Sequence, residues 1–135
     1  MSYKIIEIEG IGAKYAERLQ AAAIYSTNDL LKACGSKKGR DEAAEKTGVS
    51  ASLLLKWTNM ADLMRVSGIG EEYSELLEAA GVDTVKELAT RNAENLAAKM
   101  KEINEAKNLT RTLPGVTQVQ KWVDQAKIMD PAISY

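Results

Sequence analysis

Gly10-Ile11-Gly12 recurs as Gly68-Ile69-Gly70, and this internal repetition constrains the fold more than any other feature of the 135 residues. At an offset of 58 residues Tyr15 meets Tyr73, Leu19 meets Leu77, Ala22 meets Ala80 and Leu30 meets Leu88. IEGIGAKYAERLQAAAI and VSGIGEEYSELLEAAGV are therefore two copies of one unit. A second echo pairs Lys56-Trp57 and Ala61 of KWTNMA with Lys121-Trp122 and Ala126 of KWVDQA at an offset of 65, so the second copy holds seven extra residues, expected between Asn92 and Pro114. Two copies are too few for a solenoid and suit a pseudo-symmetric pair sharing one core. The expected organisation is a single domain over 1–135, with repeat one at about 1–65, repeat two at about 66–130 and a short tail at 130–135.

Nearly every segment reads as helix. Tyr15, Ala16, Leu19, Ala22 and Ala23 recur at steps of three and four after Gly12, as do Tyr73, Leu76, Leu77 and Ala80 after Gly70. Ser26 or Thr27 caps a helix holding Leu30 and Leu31, and Asp83 or Thr84 caps one holding Val85 and Leu88. A short polar helix from Gly39 to Lys46 stops near Gly48. Ser50 precedes an apolar stripe of Leu53, Leu54, Trp57, Met60, Ala61 and Met64; Asn92 precedes Leu96, Met100 and Ile103; and Thr117 opens the last helix, with Val119, Trp122, Ala126 and Met129 inside. The expected fold class is all-α, two tandem repeats fused into one compact helical domain.

An apolar segment, a Gly-apolar-Gly turn and a helix with small or apolar residues at fixed positions form the pattern of a helix-hairpin-helix unit. Glycine permits backbone angles and close approach denied to other residues, while Ile11 or Ile69 anchors the turn in the core. The amides opening the next helix then point outward, where the positive end of the helix dipole favours a phosphate. Contacts of this kind read the nucleic-acid backbone and no bases.

IEGIGAKYAERLQAA, GRDEAAEKTGVS, KWTNMADLMRVSGIGEEYSELLEAAGVDTVKELATRN and LPGVTQVQKWVDQAK together resemble the family called domain of unknown function 4332 over essentially the whole chain. That family is regarded as related to the tandem helix-hairpin-helix domains of DNA repair and recombination proteins, so the resemblance implies that fold and binding to DNA backbones without sequence preference. One departure is Ala23, which stands where the second copy has Gly81. A left-handed alanine costs on the order of 1 kcal/mol relative to glycine, so the first copy is expected to leave its helix differently.

Charge separates the copies. Residues 1–65 hold 10 Lys+Arg against 8 Asp+Glu and residues 66–135 hold 8 against 11, giving +2 and −3. Lys14 follows the first turn, whereas Glu71 and Glu72 follow the second and repel a phosphate. The expected nucleic-acid site is therefore Gly10, Ile11, Gly12, Ala13 and Lys14, even though Glu7 and Glu9 precede it, and Gly68, Ile69 and Gly70 are assigned to packing or protein contact. Lys37, Lys38 and Arg40 flank Gly39 at the entrance of the short helix and supply a second basic contact. The plainer reading of that cluster is a solvated loop.

The remaining residues read as structural. With no His and one Cys, the chain lacks the parts of a Ser/His/Asp or Cys/His centre and of a thiolate zinc site. Cys34 is expected to be an inert, half-buried thiol, Trp57 and Trp122 to pack in the core, and the acidic residues to sit on solvated faces. No catalytic residue, metal or cofactor is expected, and no apolar run suits a membrane. The reading that follows is a non-enzymatic, cytoplasmic protein binding DNA or another nucleic acid without sequence preference. The alternative is a protein-interaction adaptor whose hairpins pack on a partner or on a second copy of the chain.

Overall fold

Side-chain oxygens mark where most of the helices begin. Ser26, Ser36, Ser50, Thr84 and Asn92 each accept a hydrogen bond from the amide three residues on, starting α2 (Thr27–Cys34), α3 (Lys37–Thr47), α4 (Ala51–Leu63), α6 (Val85–Leu88) and α7 (Ala93–Lys107). The other three, α1 (Ala13–Ala21), α5 (Glu71–Ala79) and α8 (Val116–Lys127), follow Gly12, Gly70 and Gly115 and have no side-chain cap. This is a computed structural model that describes residues 2–135, and the protein is all-α: no strand occurs among those residues, only an isolated bridge between Lys4 and Ser26. No helix among them is long and apolar enough to cross a membrane.

Three starts differ from the sequence expectation. The polar helix begins at Lys37, two residues early, because Ser36 supplies the cap. The last helix begins at Val116, with Gly115 in place of Thr117 at its entrance. The first Gly-Ile-Gly turn is preceded only by a single 3-10 turn, Ile5–Glu7, whereas the second follows α4.

Buried apolar side chains fall into two clusters instead of one shared core. The first runs from Ile5 to Met64 and includes Leu19, Leu30, Leu54 and Trp57, and the second runs from Leu63 to Ala126 and includes Leu77, Leu88, Met100 and Trp122. The end of α4 serves both, since Met60, Ala61 and Met64 pack in the first cluster and Leu63 in the second. Asp62, almost fully buried between them, pairs with Arg65 at 2.6 Å and accepts the Val85 amide at 2.8 Å. The seven extra residues of the second copy are accommodated by a longer α7, of 15 residues against 11 in α3, and a longer loop before α8.

The backbone repeats closely at the offset of 58. Ile8 and Val66 donate to Ile5 and Leu63 at 3.2 and 3.1 Å, and Ile11 and Ile69 donate to Ile8 and Val66 at 3.1 Å in both copies. Ile24 and Val82 donate to Leu19 and Leu77 at 2.9 Å, closing the two helix exits identically. This corrects the expectation for Ala23. It adopts φ +65° where Gly81 has φ +92°, so the first copy accepts the strain of a left-handed alanine and keeps the same exit.

The tail docks. Ser134 donates its amide to Gly35 O at 2.7 Å, and Arg65 donates to Asp130 O at 2.8 Å, returning the end of the second copy to the first.

Candidate functional site

Gly10 and Gly68 both hold φ +93°, a conformation that side-chain-bearing residues rarely adopt. A Cβ on Gly10 would stand 3.4 Å from Trp57 Nε1, and one on Gly68 would stand 3.1 Å from Trp122 Nε1. Each turn is thus seated against the tryptophan of its own copy's last helix. Tyr15 packs edge-on to Trp57 at 5.0 Å between ring centroids, and Tyr73 packs on Trp122 at 5.3 Å. Both indoles and both turn isoleucines are buried, as the repeat pattern predicts.

At the first turn Gly12, Ala13 and Lys14 are all exposed. The opening amides of an α-helix have no partner within the helix, and here no side chain caps them. Lys14 forms none of the ion pairs among the described residues. The start of α1 therefore offers outward N–H groups, the positive end of a helix dipole and an unpaired ammonium.

The second turn has the same backbone and a different rim. Glu71 and Glu72 occupy the first turn of α5, and a surface cavity of about 470 Å³ lies there among Gly70, Glu71, Glu72, Tyr73 and Arg111. Burial comes first, and hydrogen bonding and charge from Glu9 come next, in pushing the Glu71 carboxyl above its ordinary range; Glu7 and Glu72 add to the effect. Glu75 is raised by burial and then by Glu9. Glu9, just before the first turn, thus lies beside the acidic start of α5, a juxtaposition that local sequence patterns do not announce.

The basic cluster comes apart. Arg40 is only 5% exposed, and its guanidinium donates to Cys34 O at 3.1 Å, Gly35 O at 3.3 Å and Ser134 O at 2.8 Å. It is enclosed at the end of α2 and does not join a surface triad with Lys37 and Lys38. Gly39 has a packing reason, since a Cβ there would collide with Ala33 O, and its amide is taken by the Ser36 cap. Lys37 pairs with Asp41 at 3.3 Å, and both lysines share a groove with Asp41, Glu42 and Glu45. The groove beside the exit of α1 is lined by Ala22 and Ile24 together with Gly39, Glu42, Ala43 and Lys46 of α3, whereas Lys14 stands at the opposite end of α1, about 12 Å back along the helix from Ala22.

The sequence profile of the family described as Domain of unknown function (DUF4332) matches residues 9–129. The chain belongs to that family. No curated protein and no solved structure matches it. The match begins at Glu9 and ends at Met129, so it includes both Gly-Ile-Gly turns and both tryptophans of this DUF4332 chain and leaves the docked tail outside. Cys34 is fully buried, more so than expected, and burial raises its thiol pKa, which makes it a poor nucleophile.

Proposed function

We propose that the two Gly-Ile-Gly units are helix-hairpin-helix units, and that the first binds nucleic-acid backbones, DNA foremost, without sequence preference and without catalysis. The observation that carries this reading is the exposed start of α1, with no capping side chain and Lys14 unpaired beside it. A phosphate oxygen accepts from the Ala13 and Lys14 amides while the Lys14 ammonium offsets its charge. Lys38 and Lys37 add a second contact beyond the other end of α1. With Arg40 enclosed, about two or three phosphates are engaged, so the logarithm of affinity falls with the logarithm of salt at a slope of about −2 to −3.

The test is binding of a short labelled duplex across a salt series. The chain binds at low salt and loses affinity as salt rises, while Lys14→Glu weakens binding about tenfold or more, as expected for replacing an attractive contact with a repulsive one. No binding at the lowest salt overturns the reading.

A second reading, a protein-interaction adaptor, is favoured by the acidic junction formed by Glu7, Glu9, Glu71, Glu72 and Glu75. It predicts a stoichiometric protein partner recovered from native lysate after nuclease treatment. Recovery of nucleic acid alone removes it.

A further inference from the structure

We propose that residues 131–135 form a releasable strap over Arg40, and that lifting the strap adds a third cation to the Lys37–Lys38 surface. The inference rests on the phosphate-binding reading above and assigns a regulation to it.

Arg40 is buried yet forms none of the ion pairs among the described residues. Its hydrogen bonds go to carbonyl oxygens, the Tyr135 ring faces it, and the two arms of the guanidinium are held differently. Nη1 donates to Cys34 O and Gly35 O, at the C-terminal end of α2, where the helix dipole is negative. Nη2 donates to Ser134 O, which belongs to the tail. One arm is anchored in the fold, and the other is covered by a segment with few attachments of its own.

Those attachments are the Ser134 amide on Gly35 O at 2.7 Å, a Tyr135 hydroxyl 3.5 Å from Asn59 Oδ1 and the Tyr135 ring 5.9 Å from the Arg40 guanidinium. Ala132 and Ile133 are half-buried, Ser134 and Tyr135 are exposed, and the segment has no regular secondary structure. Segments with so little buried apolar surface open at the low end of a protein's stability range. The strap lies close to the end of α2: a Cβ on Gly35 would stand 2.5 Å from Leu31 O and 2.7 Å from Ala132 O, so the glycine that α2 requires there also leaves room for the strap.

Release leaves Nη2 facing solvent at the end of α3 that carries Lys37 and Lys38. With the strap down, Asp41, Glu42 and Glu45 offset the two lysines in their groove. With it up, the charge of Arg40 is exposed at that end of α3, and a phosphate oxygen replaces Ser134 O in a bond whose donor and acceptor are both charged. The strap and a polyanion therefore compete for one arm of one arginine.

The experiment compares the full chain with Ser134→Pro, which deletes the amide donated to Gly35, and with Ile133→Ser, which weakens the apolar seat without changing charge. Binding of a short labelled duplex is followed across a salt series, and thermal melting verifies that each variant folds. Both variants are expected to bind about tenfold more tightly at low salt, with a slope steeper by about 0.9, the value of one added phosphate contact. Arg40→Gln in the Ser134→Pro background returns both to the parent values. If the parent binds and the strap variants bind identically, the strap proposal fails and the phosphate reading stands. If the strap variants bind and the parent does not, the strap is upheld and the first hairpin loses its assigned role. If none binds, both fall.

Discussion

Ala13 and Lys14 open α1 exposed to solvent, whereas Glu71 and Glu72 open α5 beside Glu9 from the other half of the chain. The difference continues along the helices: Arg18 is exposed on α1, and its counterpart Leu76 is fully buried on α5. Yet the two turns share φ +93°, the same ladder of hydrogen bonds and the same indole beneath the glycine. The comparison separates two jobs. Glycine, isoleucine and tryptophan build the turn, and the residues on its rim decide what it can hold.

The equivalence of the two scaffolds is tested most severely at the tryptophans. Trp57→Ala and Trp122→Ala each remove a buried indole and the seat of a turn, and each is expected to cost about 3–5 kcal/mol in urea unfolding. Losses differing by more than about 2 kcal/mol would break the equivalence. The next effect is at the glycines. Gly10→Ala and Gly68→Ala both force a side chain into a positive φ at a cost of about 1–3 kcal/mol, and the second is expected to cost more because its Cβ meets the indole nitrogen at 3.1 Å instead of 3.4 Å.

At the helix exits the copies differ in the opposite sense. Ala23→Gly relieves a left-handed alanine but raises the entropy of the unfolded chain, for a net gain of about 0.5–1 kcal/mol in thermal melts. Gly81→Ala loses a similar amount. Equal melting of Ala23→Gly and the parent would mean that the exit carries no strain.

The smallest effect is the pH dependence of the acidic junction. Glu71 is raised in the folded chain, so its protonated form favours folding. That contribution is complete below the unfolded-state value and is lost as pH rises through the folded-state value. Glu71→Gln is therefore expected to flatten the decline in melting temperature between mildly acidic and neutral pH. An unchanged profile would show that neither burial nor Glu9 raises the Glu71 carboxyl in the folded chain.

Features that depend on a residue and its near neighbours were legible in the sequence. Ser26, Ser50 and Asn92 announce helix starts because a short side chain reaches an amide only three residues away. Trp57 and Trp122 announce burial because they lie on apolar stripes and repeat. What was not legible depends on distant partners. Arg40 sits 94 residues from Ser134, and nothing in Lys37-Lys38-Gly39-Arg40 says that one of the three cations turns inward. Ala23 keeps the left-handed exit because its neighbour Ile24 is buried in the first cluster, a tertiary demand stronger than alanine's own preference. The site residues split along the same line: the exposed start of α1 follows from local geometry, and the approach of Glu71 and Glu75 to Glu9 comes from the other half.

The indole under each glycine gives the molecule an optical gauge. With two tryptophans in the sequence, one beneath each turn, Trp57→Phe leaves an emitter that senses the Gly68 turn alone, and Trp122→Phe leaves one that senses Gly10 alone. Titrating those two variants with any candidate ligand would reveal, from the colour of the emitted light, which of the turns had been occupied.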